Sequence, residues 1–68
     1  MLLQQLDDDL ATIDLLQAGA IHALFTGATQ DARALSLEGA RLSQEAGDVY
    51  QLEAFLRNLT NVAMLDGD

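Results

Sequence analysis

Side chains able to perform chemistry are sparse in this chain, and their spacing argues against a catalytic centre. His22 is the only histidine, and the chain has no cysteine that could complete a metal site with it. Aspartates occupy positions 7–9, but the oxygen spacing and the sharp-turn glycine of a calcium loop are missing. Ser36 and Ser43 lack the glycines of a nucleophile elbow. The sequence therefore predicts no catalytic residue, no metal site, no cofactor and no enzyme activity.

One pair of polar residues has a spacing suited to binding. Arg57 and Asn61 are four residues apart, so on a helix they share a face and can together hold a carboxylate or a peptide carbonyl. The alternative is that Arg57 neutralises Glu53, which lies four residues before it, while Asn61 is merely solvated. Both alternatives remain open from the sequence.

The charge balance restricts the class of partner. Eleven acidic residues face only three arginines, which gives a net charge of −8. Phosphate backbones and anionic membranes repel such a chain, so we expect no direct nucleic-acid contact and no membrane binding. The acids either solvate outer helix faces or attract a basic partner protein. A further alternative is that the acidic surface mimics nucleic acid and inhibits a DNA-binding protein.

Length and composition predict one small domain over residues 1–68. At this size folding buries only about 60% of the surface that the unfolded chain exposes, so a partner or a second copy would add stability. The absence of cysteine fits a reducing compartment. The apolar start of the chain is interrupted by glutamines and aspartates before it reaches the length of a signal or membrane segment. We therefore expect a soluble, cytoplasmic protein.

Apolar spacing and sparse glycines predict an all-α fold. The i, i+3/i+4 stripes predict helices at about 9–26, 30–46 and 49–65. We expect Gly47 to end the second helix in a left-handed conformation, and Asp48 with Gln51 to form a capping box that begins the third. Leucines within residues 1–8 are in phase with the first helix, but the adjacent aspartates repel one another. We therefore expect a break or a frayed turn near Asp7.

The first helix recurs later in the chain. Aligning Gly27 with Gly67 gives an offset of 67 − 27 = 40 residues, which places Leu16 on Leu56. A helix–turn–helix unit whose first helix recurs in this way is typical of a helical-repeat array. The last two residues repeat the pair at 47–48, which predicts a turn into a helix that this chain does not contain.

The segments DARALSLEGARLSQEAGD and LEAFLRNLTNVAMLDGD resemble tetratricopeptide-like repeats, in particular the longer variety of large bacterial ATP-dependent transcriptional regulators of the LuxR and AfsR/MalT type. The first segment looks like a helix B with its exit turn, and the second like the helix A that follows. The matching positions are large apolar residues of helix A, the turn glycine and two small residues of helix B: Leu56, Leu59, Gly67, Ala32 and Gly39. The chain departs from the family pattern at Thr60, where glycine is usual, and at Ala63, where a large aromatic is common.

This resemblance implies a right-handed repeat fragment made of an antiparallel helical hairpin plus a third helix. It implies a non-enzymatic scaffold for protein–protein interaction within a bacterial transcriptional regulator. Such a scaffold binds a protein or peptide in the groove formed by successive A helices. By similarity with the family's groove positions, the groove residues are Asp14, Gln17, Ile21, Arg57, Asn61 and Met64.

The apolar spacing of the third helix predicts a core face made of Leu52, Phe55, Leu56, Leu59, Val62 and Ala63. Because this helix is unpaired, we also expect an exposed apolar flank around Phe55, Val62 and Leu65. Exposed apolar patches of this kind usually mark an interface. We therefore expect the isolated chain to form a homodimer in which two copies close a helical bundle. The alternative function is that of a standalone small acidic helical homodimer that binds a basic protein partner.

Overall fold

Three α-helices form the fold in the structure, a computed structural model that describes residues 2–67. They are α1 (Leu2–Thr26), α2 (Thr29–Ala46) and α3 (Val49–Asp66). No strand occurs in this range, so the all-α prediction is confirmed. Met1 and Asp68 lie outside the described residues. The second Gly-Asp pair, at 67–68, is therefore described only at its glycine.

The first helix is longer than predicted. The expected break near Asp7 is wrong, because α1 runs without interruption through the aspartates at 7–9. Successive residues of a helix are separated by about 100° around its axis, so the three carboxylates diverge and their repulsion is weakened by water. Local bonds also support this turn: Thr12 Oγ1 donates to the Asp8 carbonyl at 2.9 Å, and Gln5 Nε2 donates to Asp9 Oδ1 at 3.1 Å.

Each of the three helices ends at a glycine in the left-handed conformation. Gly27, Gly47 and Gly67 have φ values of 80°, 73° and 78°. L-residues with a side chain rarely adopt this conformation, so glycine is favoured at each position. The amide of Asp48 donates to the Ser43 carbonyl at 2.8 Å, which closes the end of α2 as predicted for a left-handed C-terminal turn.

The start of α3 uses half of the predicted capping box. Asp48 Oδ1 accepts a hydrogen bond from the Gln51 amide at 3.1 Å, as expected for an N-cap residue. The reciprocal bond is wrong, because the Gln51 side chain donates to Asp14 Oδ1 at 3.1 Å instead. Gln51 therefore links α3 to α1.

The core of the molecule is built on a stripe of small residues in α2. Its buried members, spaced by four, three and four residues, are Ala32, Ser36, Gly39 and Ser43. Gly39 is a point of close approach, since a Cβ there would lie 2.2 Å from the ring of Phe55. The Oγ atoms of the two serines are buried without a hydrogen-bond partner in the described part of the chain. The serines therefore serve the packing through their small size, and no hydrogen bond offsets the burial of their hydroxyl groups.

Phe55 and Val62 belong to this core. Their exposed fractions are 0% and 1%, and Val62 packs with Ala23 and Ala32. Leu56, which was also predicted for the core face, is instead 49% exposed. Phe55 and Val62 are confirmed as core residues, and the prediction that they lie on an exposed flank is wrong. The reason is the space above Gly39, which admits the Phe55 ring and so turns this face of α3 toward α2. Only Leu65 of the predicted interface residues is exposed, at 61%.

Candidate binding cleft

An open cleft of about 450 Å³ lies between α1 and α3, near the C-terminal ends of both helices. The two helices run in the same direction, since Asp14 bonds to Gln51 and, further toward the C-terminal end of both helices, Gln17 bonds to Asn58. Five apolar residues and two amides line the cleft: Ile21, Leu24, Phe25, Asn58, Asn61, Met64 and Leu65. We refer to it as the α1–α3 cleft.

Three of the six predicted groove residues line this cleft. Ile21 comes from α1, and Asn61 and Met64 come from α3. Ile21 and Met64 are 41% and 73% exposed, so their apolar atoms remain available for contact with another molecule. The structure therefore brings these three residues together on one concave surface.

A part-buried pair of amide side chains forms one side of the cleft. Asn58 is 7% exposed, and its Nδ2 donates to Gln17 Oε1 at 2.8 Å. The predicted groove residue Gln17 does not line the cleft. Its side chain instead orients the Asn58 amide through this hydrogen bond. Asn58 was not predicted. The signal that could have identified it is its position three residues before Asn61, on an adjacent part of the same helix face.

The remaining two predicted groove residues lie outside the cleft lining. Asp14 is exposed and accepts the bond from Gln51. Arg57 is exposed one turn before Asn61, and within residues 2–67 it makes no hydrogen bond or ion pair. The proposed neutralisation of Arg57 by Glu53 is therefore absent from this structure.

The other two arginines bind acids of the same chain. Arg33 of α2 contacts Asp66 of α3 at 2.7 Å, and Arg41 pairs with Glu38 and Glu45 on α2. The hydrogen bond from Arg41 holds the pKa of the Glu38 carboxyl below its usual value. In the part of the chain that the structure describes, Arg57 is thus the arginine left for contact with another molecule.

A second cleft of about 420 Å³ lies between α1 and α2. His22 and Asp31 both line it, beside Leu35 and the small residues around the Gly27 turn. No group of three potential metal ligands occurs among residues 2–67. Nothing in this second cleft therefore assigns a chemical role to His22.

The apolar residues Leu24, Phe25 and Leu65 complete the α1–α3 cleft but were not predicted as groove residues. For Leu24 the 40-residue offset contains the missing signal, since it aligns this residue with the predicted Met64. Phe25 and Leu65 are aligned only with each other, so the offset gives no such signal for them.

Comparison of the chain with known protein families, curated proteins and solved structures gave no match. Across residues 2–67, no helix is both long enough and apolar enough to cross a membrane.

Proposed function

We propose that this chain is a non-enzymatic protein–protein interaction module that binds an apolar segment of its partner in the α1–α3 cleft. The observation that carries the proposal is the exposure of the apolar cleft residues. Phe25 and Met64 are 88% and 73% exposed, beside the partly exposed Ile21 and Leu65. Large apolar side chains clustered on a concave surface are typical of a binding site.

The cleft favours a peptide segment with one or two large apolar side chains. Its volume of about 450 Å³ falls within the range of roughly 300–1,000 Å³ that is common for ligand sites. The apolar side chains would be buried against Ile21, Phe25 and Met64. The exposed amide of Asn61 offers both a donor and an acceptor to the peptide backbone.

We further propose that the module belongs to the tetratricopeptide-like repeat region of a bacterial transcriptional regulator. The support is internal to the chain: the 40-residue offset between α1 and α3, the three left-handed turn glycines, and the close approach of Phe55 to Gly39. In a repeat array each added unit extends the concave surface between successive A helices. Units added on the side of α1 would then make the α1–α3 cleft one section of a longer groove, with α3 at the end of the array.

A second candidate function is recognition of a basic partner protein by the acidic surface of α1. This helix carries four aspartates and no lysine or arginine, so with His22 neutral it holds −4 of the net charge of −8. Such a field accelerates association with a basic partner and weakens as salt is added. Binding in an apolar cleft lacks this salt dependence, which separates the two candidates.

The proposal is tested with fluorescent peptides that carry two leucines in either a neutral or a lysine-rich frame. We expect the full chain to bind the neutral peptide, and Met64→Asp to weaken binding by roughly 10- to 100-fold, since a charge would replace an apolar contact. The matched control is Leu37→Asp, because Leu37 is an exposed apolar residue of α2 that does not line the cleft. Equal losses in the two variants would refute the cleft as the binding site.

A further inference from the structure

A partly exposed face of α3, beside its core face, carries a mostly apolar stripe. Its members, separated by three, four, four and three residues, are Val49, Leu52, Leu56, Thr60 and Ala63. We call it the outer stripe. Val49 and Leu56 are 67% and 49% exposed, while Leu52 and Ala63 are half-buried. This spacing is that of a helix face which packs against another helix.

The corresponding face of α1 is already covered by a helix. The 40-residue offset aligns Leu56, Thr60 and Ala63 with Leu16, Ala20 and Ala23 of α1. In α1, Ala20 and Ala23 are 0% and 5% exposed, and Ala23 packs against Ala32 of α2. The same kind of face is thus buried on α1 and left open on α3.

We infer that the outer stripe binds the outer stripe of a second copy of this chain, with the two α3 helices antiparallel and a two-fold axis at Leu56. The stripe is symmetric in spacing about this residue. Val49 and Ala63 are each seven residues from Leu56, and Leu52 and Thr60 are each four residues from it. In the antiparallel pair Val49 therefore lies opposite the partner's Ala63, and Leu52 lies opposite the partner's Thr60.

The sizes of these side chains suit that pairing. The larger residues of the stripe lie in the first half of α3, and the smaller ones lie in the second half. Antiparallel packing sets a larger residue against a smaller one on both sides of Leu56, which meets its own copy on the axis. A parallel pairing would instead set large residues against large ones at one end and leave a gap at the other.

The charges beside the stripe fit the same arrangement. Glu53 and Arg57 are exposed on one flank of the outer stripe, and neither has an ion-pair partner within residues 2–67. Arg57 is one residue after Leu56, so the two-fold axis places the partner's Arg57 beside position 55 of this α3. Glu53 is two residues before position 55, so the two charged residues are offset by about 3 Å along the helix axis. The two-fold symmetry of the dimer generates two copies of this ion pair. A parallel dimer would place Glu53 and the partner's Arg57 on opposite flanks.

The overall acidity of the chain does not oppose this contact strongly. Within α3, two acids and one arginine give a net charge of −1, compared with −4 for α1. The dimer therefore joins a weakly charged face of each copy and keeps the two α1 helices apart. The α1–α3 cleft lies on a different side of α3, so it stays open in the dimer. Arg57 of each chain then pairs with the partner's Glu53.

Sedimentation equilibrium of the full chain over a concentration series tests the inference, with helicity measured by circular dichroism on the same samples. We expect a reversible dimer. Glu53→Arg and Arg57→Glu should each weaken it about tenfold or more, because each creates like charges across the axis. The double variant with both substitutions should recover the parent dissociation constant, since it restores the pair in reverse order.

The matched control is Asp8→Arg, which changes the net charge as Glu53→Arg does but at an exposed position on α1. It should leave the dimer intact or strengthen it slightly by reducing net repulsion. Leu56→Asp, which places two carboxylates on the axis, should give a monomer; if it also loses helicity, the charge-reversal series decides. A folded parent chain that stays monomeric, or a double variant that fails to recover association, would overturn the inference.

Discussion

At the scale of single residues, the contact between Gly39 and Phe55 determines which side of α3 faces the core. Phe55 is fully buried, and its ring occupies the volume that a side chain at position 39 would need. Val62 then follows on the same face of α3, two turns later, and completes the contact with α2. A glycine in the middle of α2 thus sets the rotation of the neighbouring helix.

Gly39→Ala should therefore destabilise the protein. In an exposed helix the change stabilises by about 1 kcal/mol through helix propensity, but here the new Cβ would overlap the Phe55 ring. We expect the free energy of unfolding to fall by about 1–3 kcal/mol, which is the usual cost of overpacking a core. Urea denaturation followed by circular dichroism measures it.

The matched control is Gly19→Ala in α1. A Cβ at position 19 would meet only the Leu35 Cδ1 atom at 3.3 Å, and that methyl group is the end of a flexible side chain. Its unfolding free energy should stay within about 1 kcal/mol of the parent value. Similar losses in the two variants would contradict the role given to Gly39.

The sequence allowed only part of the residue-scale description to be predicted. Ile21, Asn61 and Met64 were placed in the groove by resemblance, and they do line the cleft. The sequence assigns Phe55 and Val62 both to the core face and to the exposed flank, because apolar residues cover a wide arc of α3 and periodicity alone leaves the rotation of the helix undetermined. The contact that fixes this rotation lies 16 residues away from Phe55 in sequence, at Gly39.

At the scale of secondary-structure elements, local signals at the helix ends were the most predictable features. Gly47 adopts the expected left-handed conformation, and Asp48 caps α3 through a bond from the Gln51 amide. Both depend on residues adjacent in sequence, so no tertiary information is needed. The break predicted at the start of α1 is wrong because the helix directs the aspartates at 7–9 apart and water weakens their repulsion.

Asp48→Ala should destabilise α3 at its first turn. The substitution removes the acceptor for the Gln51 amide, and loss of an N-cap side chain costs about 1 kcal/mol. Asp48→Asn keeps an oxygen acceptor at this position and serves as the control, with an expected loss of only a few tenths of a kcal/mol. Thermal unfolding followed by circular dichroism measures both variants. If Asn and Ala had the same effect, the stabilisation would not come from the cap.

At the scale of the whole molecule, three faces have different properties. The first helix carries half of the net negative charge, the α1–α3 cleft exposes apolar side chains beside amides, and the outer stripe of α3 is symmetric about Leu56. Because the cleft and the outer stripe lie on different sides of α3, one chain can bind a peptide and a second copy together. Neither surface requires catalytic chemistry.

The most direct test of the central claim is a nuclear magnetic resonance titration of the isotope-labelled full chain with a neutral peptide that carries two leucines. Binding in the cleft predicts shifts concentrated at its lining residues, in particular Ile21, Phe25, Asn61 and Met64, with Leu37 of α2 unaffected. Shifts confined to the aspartates at 7–9 with a lysine-rich peptide, and none in the cleft with the neutral one, would contradict the claim. Such a result would assign recognition to the acidic surface of α1.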